Sequence, residues 1–422
     1  MNNNKGELNI MNNEWKTQQE RITTLSRNLR YQYFHRHKDE NCYFPTPHGI
    51  AGNLEESIGA WPEFIFRGTF CARTFAGFCS PCFYSQFPAE KSIKGLAYQD
   101  MIREQFNYVI EHFKELVVDR QIGKSNPKEV SFVLTPTGSF FDNQEFPQHL
   151  RIEMLQGLVN VGVANSVSIN LLVECHCKDW NKLDKNTSDS QKELNLLRLL
   201  HAKLLFGFES INEYTRNVLY NKHLELAEFE IAYQTVKEEG LTAGVFIFAG
   251  LFSMNDRDTV VDVCASIDFA LEKGLTPVLM FQNVQQHTIS ELLFKAGKTT
   301  LLEPFTVLDI TRHLVEEANK YPNADWLIAD PKGGPPAPEY NIFDCARITS
   351  AENSDLIYHA ICDLRLSKNT QEFLERAAAI TYTENYKEYL CFINQIDKTN
   401  IVVRTNHLLD IAEKLYVQIW GE

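Results

Sequence analysis

Apolar residues along this chain recur at two alternating periods. Short runs of β-branched and aromatic residues bounded by glycine or proline read as strands, and longer runs with apolar positions three or four apart read as helices. The first strand is Pro62-Glu-Phe-Ile-Phe-Arg-Gly68, followed by helical spacing over 96–118, a strand over 129–135, a helix over 148–162 and a strand over 166–172. The rhythm continues with a helix over 190–200, a strand over 203–207, a helix over 225–239, a strand over 243–250, a helix over 257–273 and a strand over 276–281. Six strands with helical crossovers predict a parallel sheet covered by helices. Every loop that follows a strand then opens on one face, so chemistry is expected at the strand C-terminal ends.

Beyond Gln282 the alternation weakens. Helices are expected over 308–319, 354–364 and 370–379, around the Gly- and Pro-rich stretch 330–338. Residues 1 to about 40 read as a polar helical arm. Its patch of Arg21, Arg27, Arg30, His35 and Arg36 with Tyr31, Tyr33 and Phe34 suits either packing onto the body or an anionic partner. The chain divides into an N-terminal helical arm and lead-in over 1–58, an α/β body over 59–290, and a mostly helical region over 291–422 that covers it.

Composition narrows the function. With 422 residues, 44% of them apolar, the chain builds a large core. The balance of 41 basic and 55 acidic residues, 41 − 55 = −14, argues against a surface built to neutralise a phosphate backbone. Only the arm from Arg21 to His37 offers several phosphate contacts. No run approaches the roughly 18 apolar residues of a membrane span, and the polar N-terminus lacks the apolar core of a secretory signal. A cytoplasmic protein without membrane contact is expected. Ten cysteines are too few for a disulfide framework and raise the question of metal.

The stretch Phe66-Arg-Gly-Thr-Phe-Cys71-Ala-Arg-Thr-Phe-Ala-Gly-Phe-Cys79-Ser-Pro-Cys82-Phe-Tyr84 carries three cysteines directly after a strand. Grouped thiolates select zinc or an iron-sulfur cluster. A structural zinc site takes four ligands, and the next cysteines are Cys175 and Cys177, so a zinc site would have to be completed from afar. Three thiolates on a 4Fe-4S cluster leave one iron open, and an open iron can chelate the amino and carboxylate groups of S-adenosylmethionine. Reductive cleavage then yields methionine and a 5'-deoxyadenosyl radical that takes hydrogen from a substrate. Phe83 or Tyr84 is placed to pack over the adenine. A loop without metal is the third reading. Cys345, Cys362 and Cys391 are too widely spaced for a local motif, so one cluster is expected.

These residues resemble the radical S-adenosylmethionine superfamily, in the branch of the elongator catalytic subunit and the radical subunit of archaeosine synthase. The resemblance runs over roughly 60–370 and includes Thr137-Gly-Ser-Phe-Phe-Asp142 with Glu145, Pro147 and Arg151, Phe206-Gly-Phe-Glu-Ser210 with Arg216 and Asn221-Lys222, and Asn283-Val-Gln-Gln-His-Thr288 with Glu291. It departs at His223, where relatives commonly have glycine, and at Pro336 to Cys345, where relatives have histidine, asparagine and a cysteine pair. It implies a partial (β/α)6 TIM-like barrel, one 4Fe-4S cluster on Cys71, Cys79 and Cys82, and an external one-electron donor such as flavodoxin or ferredoxin.

Further residues fall into place around that cofactor. Glu209 ends a strand and suits the ammonium of the methionine moiety; Arg216 suits its carboxylate, with a surface salt bridge as the other reading. Gly138 permits close backbone approach and Ser139 suits methionine or ribose oxygens. Phe248 lies in the strand that meets an adenine edge in relatives. Asp142 and Lys222 are substrate candidates with equally plain structural alternatives. Asn283, Gln285, Gln286 and His287 crowd the end of the sixth strand, beyond what a turn requires, and suit a polar substrate. A small polar molecule of a specialised biosynthetic pathway is the favoured substrate. Radical modification of a tRNA nucleoside is the alternative, and a non-catalytic zinc- or cluster-binding protein is a third.

Overall fold

Long apolar runs become strands buried on both faces. The structure, a computed structural model, describes residues 3–36, 63–66, 71, 73, 76–82, 96–118, 128–136, 138–333 and 340–421. Helix α1 (Asn3–Arg36) precedes β1 (Glu63–Phe66). Then α2 (Leu96–Glu111) leads to β2 (Glu129–Pro136), α3 (Gln148–Asn165) to β3 (Ser168–Cys175), and α4 (Cys177–Asn181) with α5 (Ser188–Leu199) to β4 (Lys203–Glu209). Helix α6 (Leu226–Glu238) leads to β5 (Thr242–Ala249) and α7 (Asp256–Glu272) to β6 (Thr276–Phe281).

Strands β1 to β6 are parallel neighbours in sequence order. With right-handed crossovers, an order that never reverses stacks every helix on one face, and the sheet curls toward the other. The result is the expected partial barrel, with helices around it and one mouth at the strand C-terminal ends. A doubly wound sheet would reverse its order and put helices on both faces. One residue from each of six strands, including Val133, Leu172, Leu205, Phe246 and Val278, packs into an inner cluster separate from the main core beneath the helices.

The remaining elements finish the barrel's rim. They are β7 (Asn283–Val284), α8 (Ile289–Lys295), α9 (Pro304–Ala318), β8 (Leu327–Ile328), β9 (Tyr340–Asn341), α10 (Ala351–Ser367), α11 (Thr370–Thr381), α12 (Glu384–Gln395) and α13 (Ile401–Trp420). β8 adds a seventh parallel strand beside β6, and β7 pairs antiparallel with β9. Both are two residues long, too short to show a period. The third strand lies further along the chain than its apolar run predicts, because Ser166 is spent as the left-handed cap of α3, with φ 56°.

The N-terminal arm is built into the fold. Ile22, Leu25 and Leu29 of α1 pack with Leu408, Leu409 and Ala412 of α13 and with Phe248 and Phe252. Arg21 bonds Glu413 (2.8 Å) and Asp410 (2.6 Å), and Gln18 donates to the Val402 carbonyl (2.8 Å). Arg404 in turn donates to the Ser253 carbonyl at 2.6 Å, so α1 and α13 together cover the far end of β5. No described helix is long and apolar enough to cross a membrane.

Candidate active site

The cysteine segment is fastened from two sides. Cys79 has φ 54°, a left-handed backbone that frees successive N–H groups to point outward. The Cys79 N–H donates to the Asn221 carbonyl (3.2 Å) and the Ser80 N–H to the Tyr220 carbonyl (2.8 Å). The buried Asn221 amide returns two bonds, to the Gly77 carbonyl and to Thr23 of α1, both at 2.9 Å. From α1, the buried Arg30 guanidinium donates to the carbonyls of Phe78 (2.9 Å), Cys79 (3.0 Å) and Cys82 (3.0 Å). Burial lowers the proton affinity of that guanidinium, and Cys82, Cys79 and Cys71 act in the opposite direction.

The end of β4 faces this loop. Its register shifts between Gly207 and Glu209, and Glu209 takes φ 72°, a strained conformation for a residue with a side chain. The strain turns the carboxylate toward Lys222, whose Nζ lies 2.8 Å away. A Cβ on Gly207 would sit 2.3 Å from that Nζ, so only glycine admits the lysine there. Burial pulls the Lys222 ammonium down, but Glu209 and Cys79 outweigh it and hold it above the ordinary lysine range. Burial keeps the Glu209 carboxyl above its usual range, with Lys222 offsetting only part. Burial likewise pushes the Cys79 thiol up, and Lys222 pulls against it. Arg73, also within range of Cys71 and Cys79, forks onto both oxygens of Asp179 at 2.8 Å. Three thiols and three cations therefore share the mouth of the barrel, with two of the cations matched by carboxylates.

Several buried polar atoms here have no hydrogen-bond partner among the described residues: His176 Nε2, Asn221 Oδ1 and Gln282 Oε1. His176 accepts the Lys178 N–H on Nδ1, which leaves the proton of the neutral ring on Nε2. Burial keeps that ring neutral, and Arg73 and Lys222 reinforce the effect. Orphaned donors and acceptors at a strand end call for a polar ligand. The flanking Cys175 and Cys177 are fully buried thiols, Cys177 pushed up by burial to about 12, in keeping with the packed role of unreactive cysteines.

Other expected residues have partners within the fold. Arg216 is buried, not a surface ion pair, and donates to the carbonyls of Leu224 (2.8 Å), Ser210 (2.9 Å) and Ile211 (3.0 Å), bracing the turn after β4. Gly138 is glycine because a Cβ there would lie 2.2 Å from both Glu145 carboxylate oxygens; the close approach is internal. Ser139 is fully buried, its N–H on Glu145 (3.0 Å) and its hydroxyl accepting from the His176 N–H (3.1 Å). Asp142 accepts the Gln144 N–H in a turn. The polar run after β6 is absorbed locally. Gln285 donates to Asn283 (2.8 Å), Asn283 pairs with Asn341, the His287 N–H goes to Glu291, and Gln286 is exposed. Thr288 caps α8, which needs that arrangement. Phe248 meets Tyr220 edge to face, centroids 5.6 Å apart, in the same cluster as Cys79. Tyr84 lies outside the described residues.

Arg30, Arg73, Asp179, Tyr220 and His176 were not anticipated in the site. Arg73 sits inside the cysteine motif and Asp179 just after Cys177, signals that sequence reading had at hand. Arg30 offers none, because its carbonyl partners lie 48 to 52 residues away.

The turn beneath β4 yields a pH prediction. Ser210 donates to the buried Asp262 carboxylate at 2.8 Å, and burial lifts that carboxyl to about 6. The folded state then binds this proton more tightly than the unfolded chain, so the contribution to stability is greatest in acid and is lost as pH rises toward 6. Urea unfolding of Asp262→Asn should lack that fall; a slope equal to wild type would refute the assignment.

No known family profile matches the chain. It is 23% identical over 290 residues to an uncharacterized protein of Methanocaldococcus jannaschii, covering 68% of this chain and 73% of that one. It is 24% identical over 269 residues to archaeosine synthase subunit beta of Methanosarcina acetivorans, covering 64% and 70%. Among solved structures it is similar to an N-terminally truncated Elp3 of Methanocaldococcus infernus, with TM-score 0.36, 13% identity, and 52% of this chain against 51% of that one. It is also similar to TsrM of Kitasatospora setae, a radical S-adenosylmethionine methyltransferase with cobalamin and a 4Fe-4S cluster bound, with TM-score 0.34, 14% identity, and 57% against 38%. The chain thus spans about half, or less, of those solved chains. By its six-strand order, the three cysteines at the barrel mouth and its sequence relatives, the chain resembles the radical S-adenosylmethionine superfamily, in the branch of the elongator catalytic subunit and archaeosine synthase.

Proposed function

We propose that this protein is a radical S-adenosylmethionine enzyme with one 4Fe-4S cluster on Cys71, Cys79 and Cys82, acting on a small polar substrate. The observation that carries the reading is the cysteine loop held by the buried Arg30 through the carbonyls of Phe78, Cys79 and Cys82, with Arg73 and Lys222 acting on its cysteines as further cations. Ionised sulfurs need such countercharge in a buried site, so the donor set fits a group bound by thiolates. A bound cluster supplies the electron that opens the sulfonium of S-adenosylmethionine, releasing methionine and the 5'-deoxyadenosyl radical that takes hydrogen from the substrate. An external reductant such as flavodoxin or ferredoxin would deliver that electron.

The chain's own residues bind and orient. Glu209 is the acceptor for an ammonium group, which would replace Lys222 on its carboxylate and leave the lysine to meet a carboxylate nearby. Tyr220 and Phe248 give an apolar wall. Given a strong one-electron reductant, the loaded protein should form 5'-deoxyadenosine. Glu209→Gln should weaken S-adenosylmethionine binding about tenfold or more, the worth of a charge-assisted bond, with iron content unchanged. Equal affinity in the variant would remove Glu209 from the cofactor site.

For the substrate, two cations of the arm's basic patch support a small molecule: Arg21 is engaged by Glu413 and Asp410, and Arg30 by the cysteine loop. The likeness to archaeosine synthase subunit beta favours a second reading, a tRNA nucleoside. Binding to total RNA over a salt series separates them. Steep salt dependence with RNA-stimulated 5'-deoxyadenosine formation would establish the second.

A further inference from the structure

Arg30 stands on a helix remote in sequence from the cysteines, yet its guanidinium holds three carbonyls of their loop and is only 2% exposed. Burying a guanidinium costs several kcal/mol unless negative charge lies close. Burial lowers its proton affinity, and Cys82, Cys79 and Cys71, once ionised, act against that. Its position is also over-determined. Helix α1 is fixed on the opposite side by Arg21 on Glu413 and Asp410, by Gln18 on the Val402 carbonyl, and by the Tyr214 hydroxyl on Gln18 (2.7 Å).

We propose that Arg30 is a positioning residue with two effects on the cluster of the preceding reading, on which this inference rests: it fixes the chelating loop, and it sets the cluster's reduction potential. One-electron reduction adds negative charge to a group already made negative by its thiolates. A buried cation bonded to the carbonyls of Cys79 and Cys82 favours the reduced form and raises the potential. The fork on three carbonyls keeps the loop from opening and slows loss of iron. The two effects separate by chemistry, because lysine keeps the charge but not the planar fork, whereas glutamine removes the charge.

The experiment measures, on anaerobically reconstituted full-length protein, the midpoint potential by redox titration followed by electron paramagnetic resonance, and the rate of iron loss to a chelator. Arg30→Gln should shift the potential to more negative values and lose iron several-fold faster. Arg30→Lys should keep a potential close to wild type while still losing iron several-fold faster. A wild-type potential in folded Arg30→Gln would overturn the tuning role, and wild-type iron loss in both variants would overturn the positioning role. Should Arg30→Gln not fold, Arg30→Lys decides: iron loss at the wild-type rate refutes the proposal. Wild-type protein that takes up no iron at all would instead sink the cluster reading, and this inference with it.

Discussion

Cys79→Ala should abolish iron binding. Anaerobically prepared wild type is expected to be brown with about four iron per chain, the content of one cubane cluster. Cys71→Ala, Cys79→Ala and Cys82→Ala should each fall close to zero and form no 5'-deoxyadenosine. Cys79 is the most telling of the three, since its sulfur feels both Lys222 and Arg30 and its backbone anchors the loop to Asn221. Its removal leaves two thiolates among cations arranged for three. The change is small in volume, and the loop keeps its backbone bonds to Tyr220, Asn221 and Arg30, so circular dichroism and thermal melting of the apo-protein should stay near wild type. Zinc bound one to one after anaerobic reconstitution, with no iron, would end the cluster reading. An iron count near eight would mean a second cluster elsewhere.

The barrel was readable because a parallel strand covered on both faces is a continuous apolar run, and because crossover helices fix neighbour order without knowledge of side-chain contacts. β5, with seven of its eight residues buried, is the clearest case. The cysteines were readable because their spacing is local. Residue type and spacing leave open how each polar group is satisfied in the fold. In the polar run after β6, Gln285 turns onto Asn283 and the His287 N–H onto Glu291, while the backbone of Asn283 pairs with that of Asn341. Arg216 and Ser139 have the right chemistry for a ligand; in the fold Arg216 donates to the Ser210 carbonyl of its own turn, and the Ser139 hydroxyl accepts from the His176 N–H, 37 residues away. By sequence Arg30 belongs with the basic patch of the arm, since nothing near it in the chain shows that its helix crosses the cysteine loop.

Glu193→Ala should destabilise the protein by about 3–5 kcal/mol, the range for stripping one partner from a buried ion pair. Arg151 and Glu193 are both fully buried and bonded twice, Nε to Oε1 at 2.5 Å and Nη2 to Oε2 at 3.2 Å. Gln148 adds a bond to Glu193 at 3.0 Å, while Arg151 also holds Asn143 (2.9 Å) and the Phe146 carbonyl (2.6 Å) and lies over the Phe141 ring. The network ties α3 to α5 and both to the loop after β2 that carries Gly138, Ser139 and Glu145. Here the Glu145, Pro147 and Arg151 series of the resemblance serves architecture. Losing Glu193 leaves a guanidinium buried without a counterion, and the midpoint of urea unfolding should fall at unchanged slope. The double variant Arg151→Met with Glu193→Leu should recover most of that loss, because apolar groups of similar volume remove the desolvation cost together with the attraction. If the double variant is as unstable as Glu193→Ala, the damage comes from lost packing of the loop, and the ion pair is not its source.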